Sequence, residues 1–294
     1  MTVDSSTEAV AEQVQHLRSA LNSEILGQMD LIDEALICLL AEGHLLMTGA
    51  PGLAKTTLVR SISEHIGIGF GRVQFTPDLL PSDIIGSEVL QIDPENQRRS
   101  FEFSKGPVFV NLLLADEINR ASPRTQSALL EAMQERSVTV GGITHDLTPP
   151  FMVFATENPL ESEGTFTLPE AQLDRFLLHS LVDYPAAEHE LEILRHYRAG
   201  SLVGERKNNQ LDKVLTSKVL AEASILTKQV QVSEQLTSLI QQLVASSRPD
   251  DSFCPPDLKS ALWFGAGPRG GLSLIAASRA YAFLNGRDHI RWSD

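Results

Sequence analysis

The sequence predicts an α/β fold: a doubly wound, five-stranded parallel sheet with helices on both faces, followed by an all-helical C-terminal domain. Three observations point there. Continuous apolar runs such as FVNLLLA (109–115) and FMVFA (151–155) read as strands covered on both faces, the habit of parallel sheets. Stretches of helical periodicity alternate with them, as βαβ units require. After Pro185 the pattern is helical only, over about residues 187–199, 215–230, 233–247 and 268–285.

Taken in order, residues 8–21 form an amphipathic helix with Val10, Val14, Leu17 and Leu21 on one stripe. A second helix, about 29–41, puts Ile32, Leu36, Leu39 and Leu40 on its core side; the loop EILGQ (24–28) separates the two. A short buried strand near 44–48 leads through GAPGLAKTT (49–57) into a helix from Lys55 to about Ile66. Leu58, Val59, Ile62 and Ile66 mark its buried face, and Gly67 suits its C-terminal cap. Strands at RVQF (72–75), 109–115, 151–155 and FLLHSLV (176–182) complete the sheet. SPRTQSALLEAMQE begins a helix, with Ser122 as cap and Pro123 in the first helical position. Two segments interrupt the plan: residues 84–103 read as a hairpin around a Pro-Glu-Asn turn, and 138–147 as a tight hairpin with a Gly-Gly turn. The expected units are an N-terminal helix (1–23), an α/β domain (24–185) and a helical domain (186–294).

Composition narrows the function. At 294 residues the chain is long for one core. With 42% hydrophobic and 21% charged residues it is an ordinary globular composition. No apolar run approaches the ~20 residues that span a bilayer. The first residues carry no basic start or apolar signal core. Cys38 and Cys254 lie far apart and offer neither a disulfide framework nor zinc spacing, so a cytoplasmic location is expected. His189 and His196 share a helix face but read as surface histidines rather than a metal pair. A net charge of −14 disfavours a large nucleic-acid surface, whose affinity comes from neutralising phosphates. Ser293 and Asp294 are residue types that start a helix.

GAPGLAKTT nearly matches the phosphate-loop pattern of Gly, four residues, Gly, Lys and Ser or Thr, with Ala54 in place of the second Gly. Main-chain N–H groups hold the phosphates in such a loop, so an Ala is tolerated wherever φ is negative, and right-handed angles are expected at Ala54. Pro51, Gly52, Leu53, Ala54, Lys55, Thr56 and Thr57 are then the nucleotide-binding segment, with Lys55 for the β- and γ-phosphates and the Thr56 hydroxyl for Mg²⁺. The competing reading is an ordinary strand–turn–helix junction; the flanking strand, helix and Lys-Thr pair favour nucleotide.

NLLLADE ends a buried strand in two acids: Asp116 suits the metal and Glu117 an attacking water, or both are solvated strand-end acids. Asn158, in FATENP, offers an amide to orient that water, or simply makes an Asn-Pro turn. Arg175, in LDRF, suits a phosphate in a neighbouring subunit, or an ion pair with Asp174. Arg269, in GAGPRGG, starts a helix where a cation meets the wrong end of the dipole; a nearby anion, or plain exposure, accounts for it.

Together GAPGLAKT, FTPDLLPSDIIG, GPVFVNLLLADEINRASPRTQSALLEAMQE, ATENP, LPEAQLDRF and GPRG closely resemble, in order, the MoxR family of AAA+ ATPases, over about residues 24–287. The resemblance implies a P-loop (AAA+) fold with a helical lid, binding of ATP/ADP with Mg²⁺, and ATP hydrolysis. By it Lys55 and Thr56 are the Walker A pair, Asp116 and Glu117 the Walker B metal ligand and base, Asn158 sensor 1, Arg175 the arginine finger and Arg269 sensor 2. Gly27 and Gln28 match the segment lining the adenine pocket, and the two hairpins resemble inserts that face the pore of a ring. An Ala in the phosphate loop is usual in that family. A homo-oligomeric, hexameric ring and a protein client such as a von Willebrand factor A domain protein are implied, in chaperone-like maturation of a complex. By the resemblance, the family usually continues through another helix at this point. A chelatase-type motor subunit driving metal insertion and a nucleotide-gated scaffold with little hydrolysis are the alternatives.

Overall fold

The computed structural model describes residues 5–92, 99–160, 164–199 and 214–294. Two helices, α1 (Ser5–Glu24) and α2 (Met29–Leu40), precede β1 (Leu45–Thr48), α3 (Lys55–Ile66), β2 (Phe70–Gln74) and the short α4 (Pro81–Ile85). A hairpin of β3 (Gly86–Ile92) and β4 (Arg99–Lys105) leads to β5 (Leu112–Asp116), α5 (Pro123–Glu135) and a second hairpin of β6 (Ser137–Val140) and β7 (Ile143–Asp146). Then come β8 (Met152–Glu157), α6 (Glu170–Leu173), β9 (Leu178–Leu181), and the helices α7 (Ala187–Arg198), α8 (Ser217–Gln229), α9 (Glu234–Ser246) and α10 (Pro268–Leu284).

The main sheet is parallel and five-stranded, in the order β2-β5-β8-β1-β9. Its central strands are apolar up to their carboxyl ends because alternate residues feed two different cores. Leu45, Leu112, Leu114, Met152 and Phe154 pack with Leu58, Val59 and Ile62 of α3 and with α1 and α2. Leu46, Leu113, Ala115, Val153 and Ala155 face the other way, onto Leu129, Leu130 and Met133 of α5. Each such fully buried Leu, Ile or Phe contributes about 1.5–3 kcal/mol.

Ser122 caps α5 through a bond from the Thr125 N–H, with Pro123 following, and Gly67 ends α3 in the left-handed region. Strand edges differ from expectation where side chains intervene. The run 109–115 becomes strand only at Leu112, because the Asn111 side chain accepts from the Gly69 N–H and donates to the Pro150 carbonyl, tying the strand's entry to its neighbours. β9 is an edge strand and alternates in exposure instead of being buried throughout. In the second hairpin Gly141 and Gly142 have φ of 59° and 81°, as a type I′ turn requires. The Pro-Glu-Asn turn of the first hairpin falls outside the described residues.

Of the helices after β9, α8 and α10 pack on α1 and α2, α9 packs on α10, and α1 also lies against α3. Cys38, fully buried on α2, donates its thiol to the His44 carbonyl, and burial pushes its pKa far up. No helix among the described residues is long and apolar enough to cross a membrane.

Candidate functional site

In open parallel sheets, ligand crevices form beyond the carboxyl ends of the strands. Here a cavity of about 480 Å³ opens at that edge. Residues 51–57 line it from the loop after β1, Arg72 and Gln74 from β2, and Asp116 and Glu117 from β5. Thr156, Glu157 and Asn158 line it from β8 and the turn beyond, and Ile25, Leu26 and Ile193 add an apolar wall suited to a flat ring.

One expectation about the loop fails. Ala54 is left-handed, with φ 58° and ψ 9°, not right-handed. The reason lies in the main chain. Gly52 (φ 85°) and Ala54 have positive φ while Leu53 and Lys55 do not, and alternation of hand is what turns successive N–H groups toward one point. The position the usual pattern gives to Gly keeps its left-handed shape although this chain has a methyl group there. A Cβ added at Gly52 would meet nothing within 4 Å, so that residue leaves the cavity wall open. The N-terminus of the twelve-residue α3 adds its partial positive charge. Such a cradle can hold an anion.

The acids stand opposite with their geometry fixed. Asp116 Oδ1 accepts from the Thr156 hydroxyl at 2.6 Å, and Oδ2 accepts from Arg72 Nη2 at 2.6 Å and Nε at 3.2 Å. Glu117 is also left-handed (φ 56°, ψ 52°), its N–H held by Thr156 Oγ1 at 2.9 Å. Its Oε2 accepts from Gln74 Nε2 at 2.7 Å and Arg120 Nη1 at 2.9 Å. The buried Lys55 ammonium donates to the Gly49 carbonyl; burial lowers its pKa and the charges of Asp116 and Glu117 oppose that shift. Burial raises the pKa of Glu157, against a bond from the Thr48 hydroxyl. The Thr56 hydroxyl and the Asp116 carboxylate are hard oxygen donors in one cavity, the kind Mg²⁺ takes in small number.

Asn158 is buried; its Oδ1 accepts from the Leu160 N–H at 3.1 Å, so the residue makes its turn and lines the cavity at once. The other candidates lie off the cavity lining. Arg175 donates to Gln134 Oε1 at 3.1 Å and not to Asp174. Arg269 is exposed in the first turn of α10. Gly27 (φ 76°) packs where a Cβ would collide with Pro185 and His189, and Gln28 donates to the Asp183 carbonyl at 3.0 Å. Their neighbour Leu26 is the one that reaches the cavity. Sequence reasoning missed Arg72, Gln74 and Thr156. The alternation in RVQF, two polar residues around buried Val73, was the available signal.

A family model for the ATPase family associated with various cellular activities (AAA) matches residues 44–178, and one for the AAA lid domain matches 258–294. The chain is 41% identical to Chaperone MoxR1 of Mycobacterium tuberculosis, over 96% of this chain and 73% of that protein. It is 33% identical to Protein MoxR of Paracoccus denitrificans, over 92% and 81%. A crystal structure of a candidate ATPase from Cytophaga hutchinsonii superposes with a TM-score of 0.84 at 36% identity, covering 98% of this chain and 84% of the other.

Proposed function

The chain belongs to the MoxR family of AAA+ ATPases, and from that premise we propose that it is a Mg²⁺-dependent ATP hydrolase working as a homo-oligomeric, hexameric ring in the cytoplasm. Its proposed work is chaperone-like: remodelling or maturing a protein complex, with a von Willebrand factor A domain protein as client. The observation that carries this reading is a single cavity in which an alternating-hand loop and a helix N-terminus face Asp116 and Glu117.

In this reading the main-chain N–H groups of residues 52–57 and the Lys55 ammonium hold the phosphates. Thr56 and Asp116 hold Mg²⁺, which when bound neutralises charge on the β- and γ-phosphates. Glu117 takes the proton of the attacking water and Asn158 orients that water. Arg175, which does not line its own subunit's cavity, serves the γ-phosphate of the neighbour. Arg269 closes on the nucleotide from the lid, and Gly27 and Gln28 fix the segment beside the base. The domain division is the one read from the sequence, an α/β domain over 24–185 and a lid over 186–294. The hairpins of β3–β4 and β6–β7 face the pore; they touch one another and expose Val89, Leu90, Phe101 and Ile143.

Glu117→Gln is expected to bind ATP normally and to lose turnover by roughly 10²–10⁴-fold, the usual worth of a general base. Arg175→Ala is expected to bind ATP normally yet lose hydrolysis. Phosphate release and fluorescent-nucleotide titration measure the two quantities separately. An Arg175→Ala protein that hydrolyses at the wild-type rate defeats the shared-site reading.

A further inference from the structure

The two acids are joined by a continuous run of polar contacts. Arg72 Nη2 bonds both Asp116 Oδ2 at 2.6 Å and Gln74 Oε1 at 3.1 Å, and Gln74 Nε2 passes the link to Glu117 Oε2 at 2.7 Å. β2 makes this possible: Arg72 and Gln74 share one face of the strand, and its register places Gln74 directly beside Asp116. Asp116 is thus held on both oxygens, by Thr156 on one and by two guanidinium nitrogens on the other. A cation that approaches Asp116 from the cavity meets the positive charge of Arg72 on the same carboxylate. The Arg72 side chain is 49% exposed, so it has room to swing out, whereas the Asp116 side chain is 13% exposed and has little.

We propose that Arg72 is a positioning residue that latches Asp116 and competes with Mg²⁺ for it. This rests on the reading of the cavity as a Mg²⁺–nucleotide site.

The test is equilibrium binding. N-methylanthraniloyl-ADP fluorescence is followed during Mg²⁺ titration of the wild type, Arg72→Ala, Arg72→Lys and Gln74→Leu, with circular dichroism confirming that each is folded. Loss of one partly exposed ion pair predicts that half-saturation shifts to about threefold less Mg²⁺ in Arg72→Ala. Arg72→Lys is expected to shift the same way by less, because a lysine keeps a charge near Asp116 but cannot bond Asp116 with two nitrogens and span Gln74 as well. It also keeps the test open should the alanine variant fail to fold. Gln74→Leu, which removes the second partner of Arg72, shifts the same way by less. An unchanged or raised Mg²⁺ requirement overturns the latch, as does an Arg72→Lys protein identical to wild type, since charge alone would then explain the alanine result. A wild type that binds no nucleotide at any Mg²⁺ concentration overturns the latch together with the site; failure of the shift alone leaves the site standing.

Discussion

At Ala54 a methyl group sits in the left-handed region, which costs an L-residue about 1–2 kcal/mol. The cost persists because the anion-cradling shape of the loop needs that hand at that position. Ala54→Gly relieves it, while giving the unfolded chain about 0.5–1 kcal/mol more conformational freedom to lose. The net expectation is a gain of about 0.5–1 kcal/mol in urea denaturation; a loss would show that the loop is not strained there. An alanine side chain by itself favours negative φ, but the main-chain geometry of the loop decides the angle at Ala54.

His44 carries a second residue-scale consequence. It is buried, accepts from the Val153 N–H at 2.9 Å through Nδ1, and burial lowers its pKa from 6.5 to about 4. The unfolded chain takes up a proton on this side chain as pH falls through 6.5, and the folded chain refuses it until about 4. Stability is therefore full above pH 6.5 and falls between these values, by about 3 kcal/mol at the lower end. The half-buried Glu34 and Glu157 have pKa values raised by desolvation and act with the opposite sign, their contribution being lost as pH rises. They are common to wild type and His44→Asn, whose amide oxygen can take the Val153 N–H. The difference between the two proteins isolates the histidine: the Asn variant should lose less stability on acidification, and equal slopes would contradict the assignment.

Among the elements, α1 ties the helical packing to the site. Val10, Val14, Leu17 and Leu21 are buried, Arg18 pairs with Asp33 of α2, and the chain leaving the helix supplies Ile25 and Leu26 to the cavity. Leu17→Ala should cost about 2–5 kcal/mol and also weaken nucleotide binding, because the apolar wall hangs from the same helix; denaturation and titration of the one variant check both. What the sequence made legible follows the same division. The stripe on α1 and the apolar strands β5 and β8 could be read because local periodicity reports burial. The loop, Lys55 and the two acids could be read because each lies at a strand end within one short stretch. Arg72, Gln74 and Thr156 could not, because they reach Asp116 and Glu117 only through the lateral order β2-β5-β8, which no local pattern encodes.

For the whole molecule, the separation of residues is the point. The loop, Asp116, Glu117 and Asn158 share one cavity, while Arg175 and Arg269 lie off its lining. In the proposed ring the neighbour's Arg175 would complete the site while Arg269 would close on it from its own lid, and a heterologous contact that closes would repeat this around the assembly. The sharpest measurement mixes two variants, Glu117→Gln, which keeps its finger, and Arg175→Ala, which keeps its base. Each alone should be nearly inactive, since a trans arginine is worth roughly 10³-fold or more. In an equal, randomly assembled mixture about a quarter of interfaces join an intact base to an intact finger, so phosphate release should return to about that fraction of wild type. Two inactive proteins that stay inactive after co-assembly, or an Arg175→Ala protein active by itself, would contradict the account.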